Sequence, residues 1–313
     1  MSNQQTSAPS QPLDTAVLFL VFNRPDTTMR VFEAIRKARP PRLYIAADGP
    51  RDSRPGEDNK VKAVRDYVIG HIDWDCEVKT LFREENLGCK YAVSSAIDWF
   101  FDNEEMGIIL EDDCLPHQSF FWFCEELLER YSDDKRIGII SGDNFMFGKR
   151  RTDDSYYFSR YTHIWGWASW RRTWQKYDVA MKQWPFIKMN GLLSDILQYK
   201  KLVKYWNDIF EDVFNNKIDT WDYQLNFACL VNSMLNIMPN NNLISNIGFG
   251  ANASRTTKIN KFSAMPVLEM VFPLLHPNVI IRDALADRIT ERDQFSKSLI
   301  TARIAKIIRR VIA

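Results

Sequence analysis

The chain predicts an α/β fold: a mostly parallel sheet with helices on both faces. Three observations predict it. Four strand-like runs, the third of them alternating and the others apolar, alternate with helical segments over residues 15–117. The first run is apolar throughout, as strands buried on both faces are. Every run ends in a polar cluster, the place where a strand leaves the core.

The elements follow in order. Residues 1–14 are polar and read as a disordered lead. Ala16 to Phe22 is the first strand, and it breaks at Asn23-Arg24-Pro25. Asp26 or Thr27 can cap the next helix, which places Val31, Ile35 and Ala38 on one face. Arg42 to Ala47 is the second strand and ends at Asp48-Gly49-Pro50-Arg51. A helix through Val61, Val64 and Val68 follows. Glu77 to Phe82 is the third strand, ending at Asn86-Leu87-Gly88, with a helix from Ala92 to Phe101 after it. Ile108-Ile109-Leu110 is the fourth strand, since β-branched residues suit a pleated core. It opens on Gly107 and ends in Glu111-Asp112-Asp113 before Pro116.

Right-handed crossovers bring all four strand ends to one edge, where open α/β sheets bind ligands. Three adjacent acids repel one another unless a cation neutralises them. Side chains alternate along extended backbone, so Glu111 and Asp113 share a face and Asp112 points the other way. A hard divalent ion, Mn²⁺ or Mg²⁺, takes oxygen ligands and bridges phosphates. The inferred ligand is a nucleoside diphosphate. Asp48 would meet a base or ribose hydroxyl, Arg24 or Arg51 the phosphate charge, and Asp113 the metal. The plain alternative is an acidic turn facing water. No P-loop or G-x-G-x-x-G turn is present, so those nucleotide-binding modes have no support.

The second half is less regular. Ser119 to Tyr131 is an amphipathic helix, and Ile137 to Gly142 a short buried strand. Gly148 to Ser155 is a charged loop. In Tyr161 to Trp170, Trp165, Gly166 and Trp167 suit a wall for a sugar ring, or else a core hairpin. His163 is the best placed of four scattered histidines, with His117 next. The stretch from Trp174 to Phe214 reads mainly helical. Asp219 or Thr220 could cap a helix through Cys229 and Leu230. An acid at such a helix start is favoured as its anion and suits a proton-accepting base; simple capping is the plainer reading. Asn236 to Pro239 and Leu243 to Gly250 mark a strand and a tight loop. Phe295 to Ala313 sets Ile300, Ile304, Ile307 and Ile308 against Arg303, Lys306, Arg309 and Arg310. Such a basic amphipathic helix fits a membrane surface, or packs on the domain or a second subunit.

Composition excludes several classes. Lys+Arg 41 against Asp+Glu 40 gives no signal for nucleic acid. Five cysteines without close pairing give neither a disulfide framework nor a zinc site, and fit a reducing cytosol. No run of about 18 apolar residues spans a membrane. The expected location is cytoplasmic, with peripheral attachment if the tail binds membrane.

Asn23-Arg24-Pro25, Asp48-Gly49, Asn86-Leu87-Gly88 and Glu111-Asp112-Asp113, in this order on strand ends, resemble GT-A-fold glycosyltransferases. The similarity is to bacterial family-2-like sugar transferases. More distantly it is to the eukaryotic N-acetylglucosaminyltransferase that starts complex N-glycans, through Gly166-Trp167 and Trp221-Asp222. It covers roughly residues 15–257. It implies a GT-A catalytic domain over 15–260, with a nucleotide-sugar half (15–117) and an acceptor half (118–260), and an extension over 261–313. It further implies that Asp113 coordinates Mn²⁺ and that Glu111 or Asp112 meets ribose or sugar. Asp222 would be the base of an inverting transfer from a UDP-sugar to a glycan or glycolipid, with Trp165, Gly166, Trp167 and Trp221 at the acceptor. Many relatives carry a histidine after the Gly-Phe-Gly segment. Here Ala251 to Thr257 has none, so either Arg255 would supply charge instead or the metal would be held less tightly. A nucleotidyltransferase remains the alternative within enzymes, though Asn23-Arg24-Pro25 stands where its glycine-rich loop belongs. A non-catalytic glycan-binding protein is the alternative outside them.

Overall fold

The computed structural model describes residues 12–249 and 261–295. In the first half β1 (Val17–Val21), α1 (Pro25–Ala38), β2 (Arg42–Ala47), α2 (Glu57–Gly70), β3 (Glu77–Phe82), α3 (Gly88–Asn103) and β4 (Met106–Glu111) alternate. The four strands are parallel, in the spatial order β3-β2-β1-β4. The chain steps outward from β1 to β3, then returns to the far side of β1. Right-handed crossovers therefore put α1 and α2 on one face and α3 on the other. The pleat of β1 matches. Val17, Phe19 and Val21 share a buried cluster with Val31, Phe32, Ile35, Val64 and Val68. Ala16, Leu18 and Leu20 share another with Ala96, Ile97 and Phe100.

One helix start differs from expectation. Neither Asp26 nor Thr27 caps α1, which begins at Pro25 with Arg24 at the cap position and no side-chain cap. Proline is preorganised for the first helical position and lacks the N–H that a cap would satisfy.

The second half continues with β5 (Cys114–Pro116), α4 (Ser119–Arg130), β6 (Ile137–Ser141), β7 (Tyr156–Ser159) and β8 (Trp167–Trp170). Short helices α5 (Arg171–Trp174), α6 (Trp184–Met189) and α7 (Leu193–Leu197) lead to α8 (Lys200–Phe214) and α9 (Asp222–Val231). Then come β9 (Leu235–Pro239), β10 (Ile244–Asn246) and α10 (Ala284–Thr290). The Tyr161–Trp170 segment is no hairpin. Only β8 is a strand, and it inserts antiparallel between β4 and β6. The sheet runs on through β9 to β7, giving eight strands, mostly parallel and flanked by helices. β5 and β10 form a separate two-stranded ladder. The acidic triplet thus sits where β4 leaves the main sheet and the chain enters the small one.

Leu13, read as part of the lead, is buried, and its N–H donates to the Ala38 carbonyl. Met265, Met270, Phe272 and Leu274 of the extension are buried too. Asp283 caps α10, and Asp287 within it accepts from Ser159 Oγ at 2.6 Å. The amphipathic tail beyond Phe295 lies outside the described residues, as do Gly250 and the loop with Arg255. Among the described residues no helix is long and apolar enough to cross a membrane.

Gly107 on β4 packs against Phe100 and the neighbouring strand. A Cβ there would run into the Phe100 ring and lie 2.9 Å from the Ala16 carbonyl oxygen. Overpacking of this kind costs about 1–3 kcal/mol. Gly107→Ala should lower the unfolding free energy by that amount, read as a lower urea midpoint with an unchanged m-value; an unchanged midpoint would contradict the packing described.

Candidate functional site

β1 and β4 are neighbours at which the strand order reverses: the chain steps from β1 out through β2 to β3, then returns to β4 on the other side of β1. The crevice between their carboxyl ends is the topological switch point. Phe22 N–H, just past β1, donates to Asp112 Oδ2 at 3.3 Å. The Arg24 guanidinium donates to Asp112 and, at 2.7 Å, to Asp113 Oδ2. The Asp112 side chain is 3% exposed and that of Asp113 is 13% exposed. Burial works against the Arg24 charge, but Asp112 and Asp113 outweigh it and hold the guanidinium above its ordinary value. Burial also pushes the Asp112 carboxyl up, against the pull of Arg24 and with added repulsion from Asp113. Both shifts are upward, but the first favours a charge and the second opposes one: Arg24 has two carboxylates, whereas Asp112 shares one guanidinium. An arginine stays protonated, so the ion pair is what persists.

The loops after β2 and β3 are tied to each other. Asp48 accepts from the backbone N–H groups of Gly49 (3.0 Å), Leu87 (3.0 Å) and Gly88 (3.2 Å). Burial raises its carboxyl, and these amides oppose the rise. Asn86 Nδ2 returns a bond to the Gly49 carbonyl at 2.7 Å. Asp48 and Asn86, expected to meet the ligand directly, therefore also shape the loop that lines it. Arg51 pairs with Glu57, which accepts from Asn23 Nδ2 at 2.7 Å as well. The phosphate role expected of Arg51 thus meets a guanidinium already engaged. Glu57 carries no local motif, which is why the sequence does not single it out.

The second half reaches this edge through Asp219. It does not cap α9; it accepts from Cys89 N at 3.1 Å and Lys90 N at 2.9 Å and caps α3. Thr220 Oγ1 donates to Asp222, the first residue of α9.

These elements enclose a cavity of about 440 Å³. Six carboxylates line it (Asp48, Glu111, Asp112, Asp113, Asp219 and Asp222) against three guanidiniums (Arg24, Arg51 and Arg83). A diphosphate would meet net negative charge there, so its binding calls for a cation. Among the described residues no group of three or more ligating side chains surrounds a metal position. The donor set fits a hard ion held by one or two carboxylates and completed by phosphate oxygens. Gly248 keeps that place open, because a Cβ on it would fall on the Asp113 carboxylate. Ile247 N–H donates to the Asp113 carbonyl at 2.8 Å and fixes the approach.

A second cavity, of about 350 Å³, adjoins the first and shares Ile164, Trp165, Asp222 and Phe249 with it. Its lining is mostly aromatic, including Phe145, Tyr205 and Trp206. His163 lies here, with Nδ1 3.0 Å from Asp143 Oδ1. The alignment misses hydrogen-bond geometry, and neither ring nitrogen has a hydrogen-bond partner. His117 lies elsewhere, against Ser119.

The tryptophans expected at an acceptor divide. Trp165 faces both cavities. Trp167 is 1% exposed and stacks on Trp221 at 5.7 Å in the core, so it presents no face to a ligand. Trp221 is buried as well, at the floor of the first cavity. Gly166 adopts φ 63°, and a Cβ would collide with Ile244. That left-handed residue turns the chain between the two rings.

No family model matches the chain, and no curated protein matches it. Among solved structures it is similar to the mannosyltransferase PcManGT from Pyrobaculum calidifontis in complex with GDP-Man and Mn²⁺. The identity is 16% over 54% of this chain and 48% of that one, about half its length, with a TM-score of 0.35. GalNAc-T7 with UDP, GalNAc and Mn²⁺ matches at 12% identity over 73% of this chain and 43% of that one, with a TM-score of 0.43. The galactosyltransferase LgtC, with donor and acceptor sugar analogs, matches at 12% over 88% and 94%, with a TM-score of 0.35. At these identities and TM-scores the likenesses fix neither substrate nor reaction for this chain.

Glu57 gives the site a pH signature. Its bonds from Arg51, with help from Asn23, hold its carboxyl below the ordinary 4.5, at about 2. The folded chain binds this proton more weakly than the unfolded chain, so the contribution is complete above about 4.5 and is lost as pH falls through about 2. Thermal unfolding of Glu57→Gln against wild type should show a gap that closes across that window. A gap constant with pH would contradict the assignment.

Proposed function

We propose that the chain is a metal-dependent, inverting glycosyltransferase. It moves a sugar from a nucleoside diphosphate sugar, a UDP-sugar first, to a glycan or glycolipid acceptor of a bacterial surface. The supporting observation is the position of Asp222. Its carboxylate lines both cavities, one acidic and suited to a cation-bound diphosphate, the other aromatic and suited to a sugar ring.

In this reading the first cavity holds the donor. Asp113, with Glu111 beside it, and the diphosphate oxygens would hold a divalent cation, Mn²⁺ or Mg²⁺, which when bound neutralises charge on the leaving diphosphate. Arg24 keeps Asp112 and Asp113 placed at the switch point. The acceptor enters from the aromatic side. Its hydroxyl gives its proton to Asp222 as the oxygen bonds to the anomeric carbon. The bond from that carbon to the diphosphate breaks, and the electron pair leaves with the diphosphate. Attack from the face opposite the leaving group inverts the anomeric centre. Thr220 Oγ1, donating to Asp222 Oδ1, leaves Oδ2 for the acceptor proton.

Asp222→Asn should lower transfer at least about a hundredfold, while the calorimetric donor affinity stays within about threefold, roughly the loss of half a hydrogen bond. Equal loss of binding and transfer, or full retention of transfer, would sink Asp222 as the base. Gly248→Ala tests the cation position. Its Cβ displaces the Asp113 carboxylate, so Mn²⁺-dependent nucleotide binding should vanish with the far-UV circular dichroism unchanged. Retained Mn²⁺ dependence would remove Asp113 as a ligand.

A further inference from the structure

Four side chains with buried, unpaired nitrogens converge on the aromatic cavity. Trp206 Nε1, Asn226 Nδ2, Gln294 Nε2 and His163 Nε2 lack hydrogen-bond partners. All four residues line the cavity. Trp206, Asn226 and His163 are 2%, 4% and 6% exposed. Buried polar groups are paired in roughly nine cases of ten, so four on one cavity mark a place where a ligand supplies the partners. Five other described residues carry a buried nitrogen or oxygen without a partner, and none of those residues lines this cavity.

The nitrogens are held in place. Asn226 Oδ1 accepts from Thr162 N (3.3 Å) and Thr162 Oγ1 (3.4 Å), which fixes the amide and turns its NH₂ away from Thr162. The Trp206 ring stacks on Tyr161 at 6.1 Å and is met edge-on by Phe295 at 5.0 Å. The His163 ring packs on Phe145 at 4.6 Å, with Asp143 behind Nδ1. Such donors cost little further ordering when a ligand arrives.

Charge narrows the ligand. Among the described residues the cavity is lined by two carboxylates, Asp143 and Asp222, and by no lysine or arginine. An acidic sugar would be repelled there. Amide and indole N–H groups instead suit neutral acceptor oxygens: hydroxyls, a ring oxygen or an amide carbonyl. The carboxylates can accept from hydroxyls, and the rings can cover an apolar sugar face. The volume falls in the range of small-molecule sites, about 300–1,000 Å³.

We infer that this cavity binds a single neutral pyranose, a hexose or an N-acylated hexosamine, through these nitrogens, and that it rejects uronic and other acidic sugars. Naming that sugar as the acceptor rests on the transferase reading; the binding chemistry does not.

Saturation-transfer NMR with methyl glucoside, methyl N-acetylglucosaminide and methyl glucuronide tests it, each with and without UDP and Mn²⁺. The neutral glycosides should receive magnetisation and the glucuronide none. Trp206→Phe keeps the ring and removes one N–H; Asn226→Asp keeps the acceptor for Thr162 and removes the NH₂. Each should weaken the neutral glycoside about three- to tenfold, the worth of one hydrogen bond. Their unfolding temperatures serve as a check on folding. Glucuronide binding as well as the neutral glycosides would overturn the inference. So would folded variants of undiminished affinity, or the absence of glycoside binding in every arm. Glycoside binding without any UDP binding would uphold it and remove the transferase reading.

Discussion

A carboxylate buried in an α/β crevice has to be paired, and Asp112 is paired with Arg24. Much of the site follows from that pairing. Arg24 stands in the turn after β1, and Asp112 directly after β4, so the ion pair locks the two strand ends at which the strand order reverses. The second arm of the same guanidinium reaches Asp113 and leaves that carboxylate partly exposed to the cavity. Breaking such a pair by removing one partner costs about 3–5 kcal/mol, because the other charge stays buried. The charge needed to place Asp113 is thus also a condition for the fold.

The second half is attached to this edge by contacts that serve stability and site geometry together. Asp219 caps α3 and so fixes the turn that carries Asp222. Gly248 approaches Asp113 where no side chain would fit. Asp222 then stands between an acid-lined compartment and an aromatic one. In the proposed reading, a carboxylate so placed accepts the proton in a reaction that joins two substrates.

The first half was legible because its information is local. β1, β2 and β4 are largely apolar runs with breakers at their ends, as buried parallel strands are, and the edge strand β3 shows by alternation. The second half was less legible because its pairing is long-range. β8 inserts between β4 and β6, and nothing within Trp167–Trp170 announces that place. Trp165 and Trp167 read as one wall, yet Gly166 at positive φ sends one ring to the cavities and the other to the core. Asp219 read as a cap for the helix beside it, whereas its partners lie 130 residues back in the chain. The nitrogens of the aromatic cavity come from Trp206, Asn226 and Gln294, on separate elements, and only the folded chain brings them together. The strand-end residues could be singled out in advance; which of them the fold itself engages, as Glu57 engages Arg51, could not.

The most direct measurement is thermal unfolding with UDP, GDP, CDP and ADP, each with and without Mn²⁺. A ligand bound only by the folded state adds about 2.7 kcal/mol of stability at a hundredfold excess over Kd. The account predicts a rise with one nucleotide, UDP first, that requires Mn²⁺ and disappears in Asp113→Asn. No rise with any nucleotide, or a rise indifferent to both Mn²⁺ and Asp113, would contradict it.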